Sequence, residues 1–268
     1  MHYDPIKRTL GKVFNQSAWT RKLFYKMLDV LLLRTWHIHR ELREWKKGIS
    51  GDAKILDAGS GFGQYSYFMS RMNTRFSILG VDVKDEQVAD CNQFFKSIGQ
   101  NNVRFEVQDL VTFRQENTYD LVLCVDVMEH ILEDVEVLTN YYADLKKGGT
   151  LIISTPSDQG GSDAHDHDDD SFIEEHVRNG YGKQEMLDKL RKAGFDKARV
   201  EYSYGKPGQI SWRLSMSIPM RMLNMSKLFF ILLPFYYIIV MPFALVLNYM
   251  DSHSKHETGT GLIVLAWK

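Results

Sequence analysis

The chain holds 268 residues, room for one large α/β domain with insertions and short for two full domains. Its 44% apolar and 25% charged residues are ordinary globular values, and a formal net charge of -1 excludes the global basic field that would select nucleic acid as a partner. Two cysteines, Cys91 and Cys124, make no metal-type spacing, and the first ten residues have no apolar core, so a reduced, cytoplasmic setting without a signal peptide is expected.

Residues 1–50 read as N-terminal helices, with apolar positions at Leu23, Phe24, Met27, Leu28, Leu31 and Leu32 and a charged tail from Arg40 to Lys47. Gly48, Gly51 and Asp52 then punctuate the chain. Short Val/Ile/Leu-rich runs follow at Lys54–Asp57, Phe76–Val81, Val103–Val107, Leu121–Val125 and Thr150–Ser154. Such runs fit parallel strands buried on both faces. Helical patterns lie between them at Gln64–Met72, Asp85–Ile98 and His130–Leu145. The last is followed by Lys146, Lys147, Gly148 and Gly149, a basic final turn with a glycine stop. Strands alternating with helices predict an α/β fold with a Rossmann-like, doubly wound, mostly parallel sheet over residues 51–204. A polar loop over 158–182 leads to a helix at Lys183–Ala193 and a strand at Ala198–Tyr204. An apolar helical insertion over 205–258 precedes the terminal strand, Leu262–Trp267, in 259–268.

The sharpest motif is Ile55-Leu56-Asp57-Ala58-Gly59-Ser60-Gly61-Phe62-Gly63, a strand running into a glycine-rich turn that opens a helix. Glycine lets the backbone bend tightly and approach a ligand, and the helix start adds free amide donors. The spacing is not the G-x-G-x-x-G of dinucleotide sites, because Gln64 stands where that motif, begun at Gly59 and Gly61, needs its third glycine. The Asp57 carboxylate suits a cationic amino-acid ligand better than a pyrophosphate. Asp82, ending the second strand, can accept both hydroxyls of a ribose. Asp109 can accept from an adenine amino group, while the Leu110 amide serves a ring nitrogen. Asp126-Val127-Met128-Glu129-His130 ends the fourth strand. All four positions lie at the carboxyl ends of strands, where open α/β sheets bind ligands.

With these motifs in hand, the sequence resembles the class I S-adenosylmethionine-dependent methyltransferases, and within them the quinone-biosynthesis and related small-molecule branch with its D-V-x-E-H motif. The resemblance covers residues 53–204 and the terminal strand. It implies a seven-stranded sheet whose last strand is antiparallel. It implies that Asp57, Gly59 and Gly61, with Ser60 and Gly63 in the same turn, hold the methionine end of S-adenosylmethionine. Asp82 would take the ribose, Val83 the adenine face, Asp109 and Leu110 the adenine edge, and Asp126 and Val127 the region of the methyl group.

Methyl transfer is an in-line displacement that demands alignment and exclusion of water, and it needs a base only when the nucleophile carries a proton. His130 is the candidate base, with Glu129 beside it to orient the ring, against the alternative that both pack locally. The run Asp163-Ala164-His165-Asp166-His167-Asp168-Asp169-Asp170 reads as a solvated loop or lid rather than a metal site, so no metal is assigned. Glu174, Glu175, His176, Arg178 and Tyr181 are candidates for an acceptor pocket or a structural hinge.

From Leu228 to Met250 no residue is charged. The length suits a bilayer, but two paired strands flanking the segment would put both its ends on one side. Pro234 and Pro242 are expected to break a straight helix. Basic Arg213, Arg221 and Lys227 and aromatic Phe229, Phe230, Phe235, Tyr236, Tyr237 and Tyr249 fit a membrane surface, with an oligomer interface or lid as the alternative. The function expected is methylation of a small, lipophilic acceptor (quinone, isoprenoid or lipid) by a protein peripheral to the inner membrane face. Methylation of a soluble metabolite and a non-catalytic adapter stand as alternatives.

Overall fold

The computed structural model describes residues 17–160 and 177–268. Two helices lead in, α1 (Ala18–Leu31) and α2 (Leu33–Lys47). Ser17 and Thr20 cap α1 reciprocally, each side chain accepting from the other's amide. Leu32 is extended and separates the two helices.

The sheet is built from β1 (Ala53–Ala58), β2 (Phe76–Asp82), β3 (Val103–Val107), β4 (Tyr119–Val125), β5 (Leu145–Pro156), β6 (Lys197–Ser203) and β7 (Gly261–Trp267), in the order β3-β2-β1-β4-β5-β7-β6. The first five strands are parallel, and β7 runs antiparallel between β5 and β6. The seven-stranded, mostly parallel sheet with a reversed last strand is the architecture the resemblance implies. Its strands are apolar on both faces, which is why they read as continuous runs. Leu56, Val122, Leu151 and Val264 face α5 (Asp134–Asp144) and α6 (Lys183–Lys192), while Ile55, Ile78, Leu121 and Ile152 pack with Tyr25, Ile38 and Leu42 of the leading helices. The remaining connections are α3 (Gln64–Met72) and α4 (Asp85–Ser97).

Three sequence expectations change. The helix expected over His130–Leu145 is a 3-10 turn at Met128–His130 followed by α5, which starts only at Asp134. The Lys146–Gly149 stretch is no helix stop: Leu145 is already extended, and Gly148 turns at φ +83° so that its amide reaches the Lys268 carbonyl. Tyr204 lies beyond β6 rather than in it, with a left-handed backbone at φ +55°.

The insertion is a helical hairpin. The outgoing arm is α7 (Lys206–Trp212), a π-helical turn (Arg213–Ser217) and α8 (Ile218–Met225). A 3-10 turn (Lys227–Ile231) forms the tip, and α9 (Leu233–His253) returns. The arms are antiparallel: the Gly208 amide meets Asp251, Ser211 meets Asn248, and the Tyr237 hydroxyl meets the Ser215 carbonyl. The prolines do not break α9. Pro234 occupies its first turn, where a missing N–H costs nothing, and the helix continues through Pro242, which leaves only the Ile238 carbonyl without its helical donor.

Asp251 fastens the hairpin to the domain. Its fully buried carboxylate accepts from the Tyr204 amide (3.1 Å) and the Gly208 amide (2.9 Å) and pairs with His37 of α2 (2.8 Å). Asp251→Ala strands these donors without a buried acceptor. The expected result is a loss of about 3 kcal/mol of unfolding free energy, read as a lower urea midpoint at unchanged slope. A loss within about 0.5 kcal/mol would mean the hairpin is attached elsewhere.

Candidate functional site

The site lies at the carboxyl ends of β1, β2 and β4, where the strand order reverses between β1 and β4. Gly59, Gly61 and Gly63 all have left-handed backbones, at φ +74°, +50° and +75°. Two of them have distinct spatial reasons. A Cβ on Gly59 would lie 2.2 Å from a methyl of Val127, so only glycine lets the segment after β4 rest on the turn after β1. A Cβ on Gly61 would meet nothing within 4 Å: this residue faces open space, as the floor of a cradle must.

The turn is gripped from outside by α1. The Tyr25 hydroxyl donates to the Phe62 carbonyl, and Arg21 donates to that carbonyl (2.9 Å) and to Asp90 of α4 (2.6 Å). Gln64 donates to Asp29 (2.7 Å). From inside, Asp57 is only 2% exposed and accepts from Ser66 of α3 at 2.6 Å. Burial lifts its carboxyl to about 6, against the lowering effect of that hydrogen bond.

Asp82 is set by two backbone amides, Gly61 at 2.9 Å and Lys84 at 3.0 Å, one on each carboxylate oxygen. A carboxylate has about four lone-pair sites, so two remain for hydroxyls of a ligand. Val83 next to it is 61% exposed, an apolar side chain largely open among the described residues. Asp109 is exposed, with one oxygen taken by the Val111 amide at 2.9 Å, and Leu110 is buried beneath it. The Ser60 hydroxyl is buried and has no hydrogen-bond partner among the described residues. The turn therefore offers an open floor at Gly61, an orphaned hydroxyl and a pre-set carboxylate. These features fit a nucleoside bearing an amino-acid tail.

On the β4 side, Asp126 is held at φ +51°, a rare backbone state for a residue with a side chain, and it forms an ion pair with Arg34 at the start of α2. Glu129 turns inward: it is 2% exposed and accepts from Thr155 of β5 (3.1 Å), whereas His130 stands exposed at the end of the 3-10 turn. Burial first, and then the neighbouring Asp126 charge, lift the Glu129 carboxyl well above the usual carboxylate range. Tyr65 and Tyr204 flank Arg34, and the Tyr204 hydroxyl accepts the Arg34 amide at 3.0 Å. Tyr181 and Arg178 bind Asp134 at the start of α5, so they brace the segment behind the site. The run at residues 163–170 and Glu174, Glu175 and His176 lie outside the described residues.

The structure brings Asp57, Gly59, Ser60, Gly61, Gly63, Asp82, Val83, Asp126 and Val127 to one end of the sheet. It adds Arg34, Tyr65, Thr155 and Tyr204, which no spacing pattern marks. The one hint of Arg34 in the sequence is an arginine directly after Leu31-Leu32-Leu33, a charge on an apolar run that needs a partner.

Known proteins match this geometry. A family profile described as a methyltransferase domain matches residues 49–194. Phosphoethanolamine N-methyltransferase 1 of Triticum aestivum is 31% identical over 137 residues, 45% of this chain and 27% of that protein. The mitochondrial ubiquinone biosynthesis O-methyltransferase of Homo sapiens is 31% identical over 106 residues, 38% of this chain and 28% of that protein. Each match thus spans under a third of the curated relative. Among solved structures, phosphoethanolamine N-methyltransferase 2 of Haemonchus contortus, in complex with S-adenosyl-L-methionine, superposes with a TM-score of 0.60 at 18% identity, covering 85% of this chain and 52% of that one, which speaks for the fold. With the profile spanning more than half of the chain over the glycine turn and all four strand-end motifs, the protein belongs to the class I S-adenosylmethionine-dependent methyltransferases.

Proposed function

We propose that the protein transfers a methyl group from S-adenosylmethionine to a small acceptor of lipophilic character, working at a membrane face. In this reading Asp82 takes the ribose hydroxyls with its two open lone-pair sites, Val83 packs on the adenine, and Asp109 and Leu110 bind the adenine edge. Asp57, Gly59, Ser60, Gly61 and Gly63 shape the cradle for the methionine end, and Asp126 and Val127 flank the reacting centre. Bound there, the cofactor supplies an electrophilic methyl on a sulfonium sulfur. The chain aligns the acceptor with it and keeps water out. His130 is the base assigned for an acceptor whose nucleophile carries a proton.

The lipophilic and membrane parts rest on α9. This helix of 21 residues is long and apolar enough to cross a bilayer by length and composition, yet only 17% of its apolar window is buried. Phe235, Ile238, Ile239 and Phe243 are exposed, and so is the tip at Phe230 and Ile231. Because β6 and β7 pair side by side, the hairpin must begin and end at the same edge of the sheet. At about 1.5 Å per residue α9 is about 30 Å long. Exposed Arg213 and Arg221 on the outgoing arm favour a hairpin lying in the headgroup plane over one driven through the core.

Three measurements test this. In titration calorimetry, S-adenosylmethionine is expected to bind at micromolar Kd, with Asp82→Ala weakening it at least tenfold; no binding to the native chain would remove the methyltransferase reading. In this reading the cofactor ammonium lies between Asp57 and Asp126, and a positive charge there favours the ionised Asp57 carboxylate. Because the folded value is raised to about 6, that favourable charge is present at pH 7.5 and lost as pH falls through 6. Affinity should therefore drop between pH 7 and 5, and the drop should flatten in Asp57→Asn. Finally, the full chain should cosediment with phosphatidylglycerol vesicles better than with phosphatidylcholine ones, and the exposed triple change Ile238→Ser, Ile239→Ser, Phe243→Ser should release it. A chain that ignores both vesicles and runs as a dimer would assign the hairpin to a second copy instead.

A further inference from the structure

Arg34 is unusual among the charged residues of the site. A guanidinium carries five N–H donors. Among the described residues, Asp126 is its one hydrogen-bond acceptor. The side chain is 39% exposed although it stands at the inner end of α2, with Tyr65, Tyr204 and Asp126 around it. Asp126 opposite is also partly open, and its left-handed backbone is the kind of strain that a binding site retains. Glu129 is the second carboxyl near Arg34, but it is turned to Thr155.

The position of Asp126 gives the pair a second role. Val127, the next residue, rests on Gly59, so Asp126 stands beside the cradle assigned to the methionine end. A cofactor ammonium arriving there competes with Arg34 for the same carboxylate.

Resting on the methyltransferase reading above, we infer that Arg34 is the acceptor-recognising residue: Asp126 holds it until the cofactor's ammonium takes Asp126 over, and the freed guanidinium then binds an oxygen of full or partial negative charge on the acceptor. Such an oxygen belongs to an acidic hydroxyl, as in a catechol, or to a phosphomonoester. An acceptor whose only polar group is an ammonium finds a cation in its place. Binding is accordingly ordered, cofactor before acceptor. Charge-assisted, forked hydrogen bonds are the strong kind, so losing them costs at least about tenfold in acceptor affinity. Lysine keeps the charge without the fork and restores part of the loss.

The test uses the full chain loaded with S-adenosylhomocysteine, so that binding is read without turnover. Three ligands are titrated: a prenylated catechol, phosphoethanolamine and dodecylamine. The first two separate the two sources of the oxygen, and the third is the amine control. The expected result is that the catechol or the phosphomonoester binds and dodecylamine does not. Binding should weaken at least tenfold without S-adenosylhomocysteine, and likewise in Arg34→Gln, with partial recovery in Arg34→Lys. The affinity of Arg34→Gln for S-adenosylhomocysteine itself should stay equal or rise, because Asp126 is freed. A merely structural arginine would weaken both ligands together, and that result overturns the inference. So does equal or better binding of dodecylamine, or binding of none of the three to the loaded native chain. A native chain that does not take S-adenosylhomocysteine at all sinks the methyltransferase reading itself, a distinct failure.

Discussion

Everything at the functional end of this protein depends on one contact, Val127 against the bare Cα of Gly59. Strands β1 and β4 are neighbours at the centre of the sheet, and the chain leaves them on opposite sides. A crevice opens there in any doubly wound sheet. What the contact adds is a fixed width. With a methyl group on Gly59, Val127 would have to move by more than an ångström, and Asp126 would move with it. The glycine is thus less a flexible joint than a missing atom that lets two loops touch. Its left-handed backbone serves the same end, turning the chain so that Gly61 presents its open side to the cradle.

The second constraint joins the apolar hairpin to this crevice. Asp251 accepts the Tyr204 amide, and the Tyr204 hydroxyl accepts the Arg34 amide. Two hydrogen bonds therefore lead from the foot of α9 to the first turn of α2. A buried carboxylate surrounded by donors is a rigid point, since each lost bond leaves an unsatisfied group in the interior. Whatever the exposed face of α9 rests on, its foot cannot shift without disturbing the residue that sets Arg34. The left-handed Tyr204, just past the end of β6, is the hinge of this link.

The sequence carried the frame well and its junctions poorly. Buried parallel strands announce themselves because both faces must be apolar, and Leu121–Val125 or Phe76–Val81 can be little else. The glycine turn was legible because three left-handed backbones close together demand glycine, and Asp82 because it ends a buried strand, where the Gly61 amide reaches it. Junctions failed where local preference met long-range pairing. Lys146-Lys147-Gly148-Gly149 is a good helix stop by propensity, yet the chain is drawn into β5 one residue after α5 ends, and Gly148 is spent on reaching Lys268. Pro242 suggested a break, but the helix around it loses only one donor. Arg34, Tyr65 and Tyr204 were invisible for another reason: they come from three separate elements and meet only when the sheet assembles. Glu129 was read as a partner for His130, and its place against Thr155 follows from the 3-10 turn that no periodicity predicts.

The placement of the hairpin between β6 and β7 has a mechanical consequence. An insertion between two adjacent antiparallel strands is anchored at both feet within one hydrogen-bonded edge, where Ser203 pairs with Gly261. Such an insertion can tilt but cannot cross a barrier once only, because its second foot must return to pair. The same edge carries Tyr204 and lies beside the start of α2, so the opening of the site and the foot of the hairpin share a wall. Among the described residues the Arg34 guanidinium on that wall has Asp126 as its one acceptor, although a guanidinium brings five donors.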